Sequence, residues 1–148
     1  MAYASLSDIQ ALNPKRTYSA TTTPTSTQVS ALIDQIAAEI DAELMAKGYE
    51  APATTPTEWV TFLKAVNAYG AAALAEMGMF PETSEQGSTP HWKVLYDTYK
   101  KWMKEIEEEK ITPSSVSGAN VGGYYTDVAD QDEYPDPVFR IRPEDKDF

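Results

Sequence analysis

The 148-residue sequence predicts an all-α fold: a small helical bundle of one short and three long helices, followed by an extended C-terminal tail. Apolar residues recur at spacings of three and four along three long stretches, which puts each set on one face of a helix. Residues suited to helix starts and stops bracket these stretches. The link YEAPAT (49–54) between two of them is short, and a helix, short link and helix imply antiparallel neighbours. The length fits one domain with a real core.

In chain order, Ser5 is placed to cap a short helix over Leu6 to Leu12, with Asp8 in the first turn, where the helix dipole favours an anion. Asn13-Pro14 stops it, and Lys15 and Arg16 open a Thr-rich connector that reads as loop. A helix over about Thr27 to Lys47 buries Val29, Leu32, Ile33, Ile36, Ile40 and Leu44. It keeps Asp34, Glu39, Asp41 and Glu43 off that stripe and ends at Gly48 as a C-cap.

The central stretch runs from Thr55 to Gly78. It is expected to open with a capping box, Thr55 as cap, Pro56 as first helical residue and Glu58 closing the box. Trp59, Phe62, Leu63, Val66, Gly70, Ala73, Leu74 and Met77 form its apolar face, while Ala65, Ala68, Ala71, Ala72 and Ala75 leave the other faces small enough for several neighbours. Gly70 sits mid-helix at a cost of about 1 kcal/mol relative to Ala, which implies that another backbone passes close by. Gly78 is expected to end the helix as a C′ glycine.

A polar loop, 79–88, leads to a helix with Thr89 as N-cap and Pro90 as its first residue. Trp92, Leu95, Tyr96, Tyr99, Met103 and Ile106 line one face, Trp102 lies beside them, and KEIEEEK is a solvated end. The composition then changes. Residues 112–123 are Ser/Gly/Pro-rich and read as a linker. The rest, YYTDVADQDEYPDPVFRIRPEDKDF, is acidic yet aromatic. Eight acids and three bases in 112–148 give this tail −5 of the total −11. Phe139-Arg140-Ile141-Arg142 alternates apolar and basic between prolines, as a short strand or hairpin would. Such a segment suits pairing with a partner's sheet edge. Residues 1–111 are thus expected to form the bundle and 112–148 a linker and docking tail, with Tyr124, Tyr125, Phe139, Arg140, Ile141 and Arg142 as the docking residues.

The chemistry is sparse. Twelve basic residues against 23 acidic ones argue against gripping nucleic acid through phosphates, and Lys15-Arg16 is a pair rather than a patch. There is no cysteine, so no disulfide framework or thiol nucleophile. No secretory signal or membrane span is visible. His91 is the only histidine and no Gly-x-Ser-x-Gly turn accompanies it, so no triad is nominated. Asp127, Asp130, Asp132 and Glu133 lack the glycine and distal Glu of a calcium loop. No P-loop, dinucleotide fingerprint or zinc motif occurs. No enzyme, cofactor or metal is expected.

YASLSDIQAL, VSALIDQIAAEIDAEL, FLKAVNAYGAAALAEMG and WKVLYDTYKKWMKEIE follow one another, and an extended tail then carries DPVFRIRP. This arrangement resembles the head–tail connector (adaptor, or head-completion) proteins of long-tailed bacteriophages. The resemblance covers residues 3–110; the tail is similar in character rather than in letters. It implies a structural virion protein of the neck, assembled in the host cytoplasm as a homo-oligomeric ring, dodecameric in many members, beneath the portal protein. Such a ring extends the DNA channel, passes DNA without binding it specifically, offers a platform to a tail or stopper/terminator protein, and needs no cofactor. An acidic lumen would repel phosphates, with Asp34, Glu39, Asp41, Glu43 and Glu76 as the channel-facing acids. The alternative reading is a small acidic helical inhibitor or DNA mimic that binds a basic host protein.

Overall fold

The structure, a computed structural model, describes residues 2–79 and 89–117. Five helices occupy them: α1 (Leu6–Leu12), α2 (Ser26–Ala46), α3 (Thr57–Met77), α4 (His91–Glu107) and α5 (Pro113–Ser117). There is no strand among the described residues. The fold is therefore the all-α bundle the sequence predicts, and Phe139–Arg142, expected as a short strand, lies outside the described residues.

Helix α3 is the hub, touching α1, α2, α4 and α5. Its small residues make this possible. Ala68, Ala71, Ala72, Ala73 and Ala75 are all buried beside Trp59, Leu63 and Val66, so neighbours approach on several sides. Met77, expected on the apolar stripe, is instead exposed. Val29, Ile33, Ile36, Ile40 and Leu44 of α2 fill one side of the core, and Leu95, Tyr99 and Ile106 of α4 fill another. Along the α3–α4 seam, Trp59 stacks on Phe62 at 5.6 Å between ring centroids, and Trp102 meets Phe62 and Tyr69 edge-on at 5.8 and 4.9 Å. Edge-to-face rings contribute beyond the area they bury.

Gly70 is tight, but side chains rather than a backbone crowd it. A Cβ there would lie 3.0 Å from Ile36 Cγ2 and 3.0 Å from Tyr99 Cδ2. The position is a wedge point where α2 and α4 both press on α3.

The helix ends depart from expectation in several places. Thr55 does not cap α3. Pro56 is the N-cap, with φ −70° and ψ 162°, and no side chain bonds there. Pro90 likewise takes the N-cap of α4 rather than the first helical position. The proline ring fixes φ but leaves ψ free to be extended, so both helices start one residue later. Gly78 is right-handed, φ −63°, and is not a C′ glycine. Gly48 is one, at φ +78°. There the Tyr49 N–H donates to the Leu44 carbonyl (2.9 Å) and the Gly48 N–H to that of Met45 (3.0 Å), the paired bonds of a Schellman ending. Helix α2 opens with a capping box that the sequence reading missed: the Gln28 N–H donates to Thr25 Oγ1 and the Thr25 N–H to Gln28 Oε1.

The linker expected from residue 112 begins instead with α5, which packs on α3; its Val116 and the preceding Ile111 are half-buried against the core. Ser115 and Thr112 satisfy each other's backbone N–H groups, so a Ser-rich stretch forms a helical turn where two apolar side chains have a surface to meet.

Candidate functional site

Three polar side chains, Asn67, Tyr3 and Tyr99, tie the elements together. Asn67 of α3 is fully buried among apolar residues. Its Oδ1 accepts the Ala4 N–H at 2.8 Å and its Nδ2 donates to the Ile33 carbonyl at 2.9 Å, so one side chain ties the N-terminal segment to α2. Tyr3 donates to Asp41 and accepts from the Ala53 N–H at 2.9 Å. Burial, and then the bond to Asp41, pushes its hydroxyl up to about 12. On the opposite side of α2 the Tyr99 hydroxyl donates to Glu39 Oε2 at 2.7 Å. Burial and the Glu39 carboxylate raise that hydroxyl's pKa as well.

The acids expected to line a channel are thus partly committed inside the subunit. Asp41 holds Tyr3, Glu39 holds Tyr99, and Glu76 meets Arg16 at 3.3 Å. Asp34 is exposed and Glu43 half-buried. Asp34 and Asp41 share one side of α2, while Glu39 and Glu43 lie on another, about 160° around the helix. Glu76 is on α3. The fold does not gather the five on one face of a subunit.

Helix α1, the end of α3 and the start of α4 enclose a cleft of about 640 Å³ lined by Leu12, Asn13, Lys15, Arg16, Glu76 and His91. The sequence had set Lys15, Arg16 and His91 far apart. The fold brings His91 to Lys15 and Arg16 because α1 and α4 both pack on α3, and the His91 ring bonds the Leu12 carbonyl at 3.2 Å. Asn13 is buried, its Nδ2 donating to Tyr18 Oη at 3.0 Å, while its Oδ1 has no hydrogen-bond partner among the described residues. Among the described residues, no hydroxyl or thiol side chain lines the cleft beside the imidazole.

At the other side of α1, Asp8 accepts from the Ser5 N–H (2.8 Å) and pairs with Lys64 of α3 (2.9 Å). Burial opposes ionisation there, but the Ser5 bonds and the Lys64 ammonium outweigh it and hold the carboxyl below its usual value. Among the described residues no group of histidine, cysteine and carboxylate side chains is arranged to hold a metal ion. No helix among them is long and apolar enough to cross a membrane.

Tyr124, Tyr125, Phe139, Arg140, Ile141 and Arg142, expected to dock a partner, and the acids Asp127, Asp130, Asp132 and Glu133 all lie outside the described residues. Sequence reasoning missed Asn67 and the two tyrosine–carboxylate bonds. An amide between Val66 and Ala68 on a core-facing helix was the available signal, since a buried polar group needs partners. No protein family, curated protein or solved structure matches the chain.

Proposed function

We propose that this protein is a structural adaptor of a bacteriophage neck, a subunit of a ring beneath the portal that carries the DNA channel towards the tail. The reading rests on the order of its elements, one short capped helix, two helices of 21 residues, one of 17, then a long acidic and aromatic C-terminal stretch. Two physical features support it. A bundle clamped by Asn67 and by the tyrosine–carboxylate bonds is a rigid wedge, and a rigid wedge can repeat around an axis through a head-to-tail contact. A net charge of −11 disfavours adhesion of DNA to the walls of a channel.

Tyr124, Tyr125, Phe139 and Ile141 supply the apolar anchors by which the tail would grip a portal or neighbouring subunit. The test is light scattering and negative-stain imaging of the full chain, alone and mixed with a portal protein. Rings, alone or only on the portal, are expected. A monomer that ignores the portal and binds a basic DNA-binding protein in a strongly salt-dependent way would overturn the proposal in favour of a DNA mimic.

A further inference from the structure

In a strongly acidic chain, α4 carries a concentrated positive face. Lys93, Lys100, Lys101 and Lys104 are all exposed. At 3.6 residues per turn they fall within an arc of about 100°, directly away from buried Leu95, Tyr99 and Ile106. Between His91 and Lys104 the only acid is Asp97, which is exposed and falls within the same arc, so the face carries four positive charges against one negative. Internal partners engage this face weakly. Lys101 and Lys104 reach Glu105 and Glu108 only at 3.9 and 3.7 Å, as exposed i,i+4 pairs, which contribute little. The Lys100 ammonium lies 5.6 and 5.5 Å from the Tyr96 and Tyr99 ring centroids, and Val94 leaves half its surface open at the edge of the stripe.

The complement to this face is in the same chain. Residues 124–137 carry five acids (Asp127, Asp130, Asp132, Glu133 and Asp136), three tyrosines and no base. Helix α5 starts at Pro113, six residues after α4 ends at Glu107, and ends at Ser117. The 19 residues from Ser117 to Asp136 can extend about 60 Å, against about 25 Å for the whole length of α4. A tethered segment also acts at an effective concentration in the millimolar range, which a free competitor must exceed.

We propose that residues 124–137 dock on the lysine face of their own α4. The docked segment covers both the lysines and Tyr124 and Tyr125, so a free subunit keeps its anchors occupied until a partner competes for them. This goes beyond the adaptor reading and does not depend on it: charge and chain length carry it whatever the final partner is.

The test is carbodiimide coupling, which joins a carboxylate to an amine only where the two are paired. Equal amounts of unlabelled and ¹⁵N-labelled full-length chain are mixed at low concentration and low salt, coupled, digested and read by mass spectrometry. The expected products join Asp127–Asp136 to Lys93, Lys100, Lys101 or Lys104 in peptide pairs of a single isotope. They should disappear near 1 M NaCl, where the screening length falls to about 3 Å. The triple variant Lys93→Glu, Lys100→Glu, Lys104→Glu should lose them too. Adding Asp127→Lys, Asp130→Lys and Asp132→Lys to that variant should restore coupling with the partners reversed. Mixed-isotope pairs would mean docking between copies and overturn the proposal, as would the absence of tail-to-α4 products or products indifferent to salt. The salt series on the unmodified chain decides the matter even if the variants fold poorly.

Discussion

Replacing Gly70 by Ala sets two opposed effects against each other. The substitution improves helix propensity by about 1 kcal/mol, and where there is room it stabilises. Here the new methyl would lie 3.0 Å from both Ile36 Cγ2 and Tyr99 Cδ2, and 3.2 Å from Ile36 Cδ1. Neither neighbour can retreat easily. Ile36 is 1% exposed and β-branched, so its χ1 is stiff. Tyr99 is equally buried, and its hydroxyl is held by Glu39 at 2.7 Å. Overpacking of this kind costs about 1–3 kcal/mol, which exceeds the propensity gain. Gly70→Ala should therefore destabilise by about 1 kcal/mol, lowering the melting temperature by about 4 °C. Gly70→Leu, which cannot be accommodated by small shifts, should cost about 3 kcal/mol or more. The assay is thermal and urea unfolding followed by circular dichroism. A companion variant sharpens it. In Tyr99→Phe the ring is released from Glu39 and can move aside, so the Gly70→Ala penalty should shrink in that background, a positive coupling in the double-mutant cycle. A Gly70→Ala protein that melts at or above the wild-type temperature would refute the wedge-point reasoning.

Other substitutions probe the remaining links. Asn67→Ala should lose about 1–3 kcal/mol, because the Ala4 N–H is left buried without a partner while the Ile33 carbonyl keeps only its bond within α2, and hydrogen exchange at Ala4 should accelerate. For Tyr3, whose hydroxyl titrates at about 12 in the folded chain against an ordinary 10.0, the stabilising contribution is complete below pH 10 and fades as pH rises towards 12. Tyr3→Phe should accordingly be less stable than wild type at neutral pH, with the gap narrowing across that interval; a constant gap would show that the hydroxyl is not the group involved. Deleting residues 118–148 should leave the melting temperature nearly unchanged while abolishing partner docking. Cutting from Thr112 should also cost stability, since it removes α5 and the half-buried Val116. Among the acids, Asp34→Lys should be tolerated, whereas Glu39→Lys and Asp41→Lys should lower stability by removing the acceptors of Tyr99 and Tyr3.

The sequence by itself determined the helical class, the four main helices to within about three residues at their ends, and most of the apolar core. These follow from periodicity and local chemistry. Val29, Ile33, Ile36, Ile40 and Leu44 face inward because their spacing allows no other helical face, and Gly48 stops α2 because it accepts φ +78°. What tertiary structure decided were the matters in which two equally good local options compete. Pro56 and Pro90 suit a first helical residue and an N-cap alike, and each helix settled on the later start. Residues 113–117 have weak helical preference, and the surface offered by α3 tipped them into α5. The commitment of Glu39 to Tyr99, Asp41 to Tyr3 and Glu76 to Arg16 joins residues 38 to 60 positions apart. The cleft that unites Arg16 with His91 arises in the same way. No local pattern encodes such pairings, because they depend on how helices of known phase are finally set against one another.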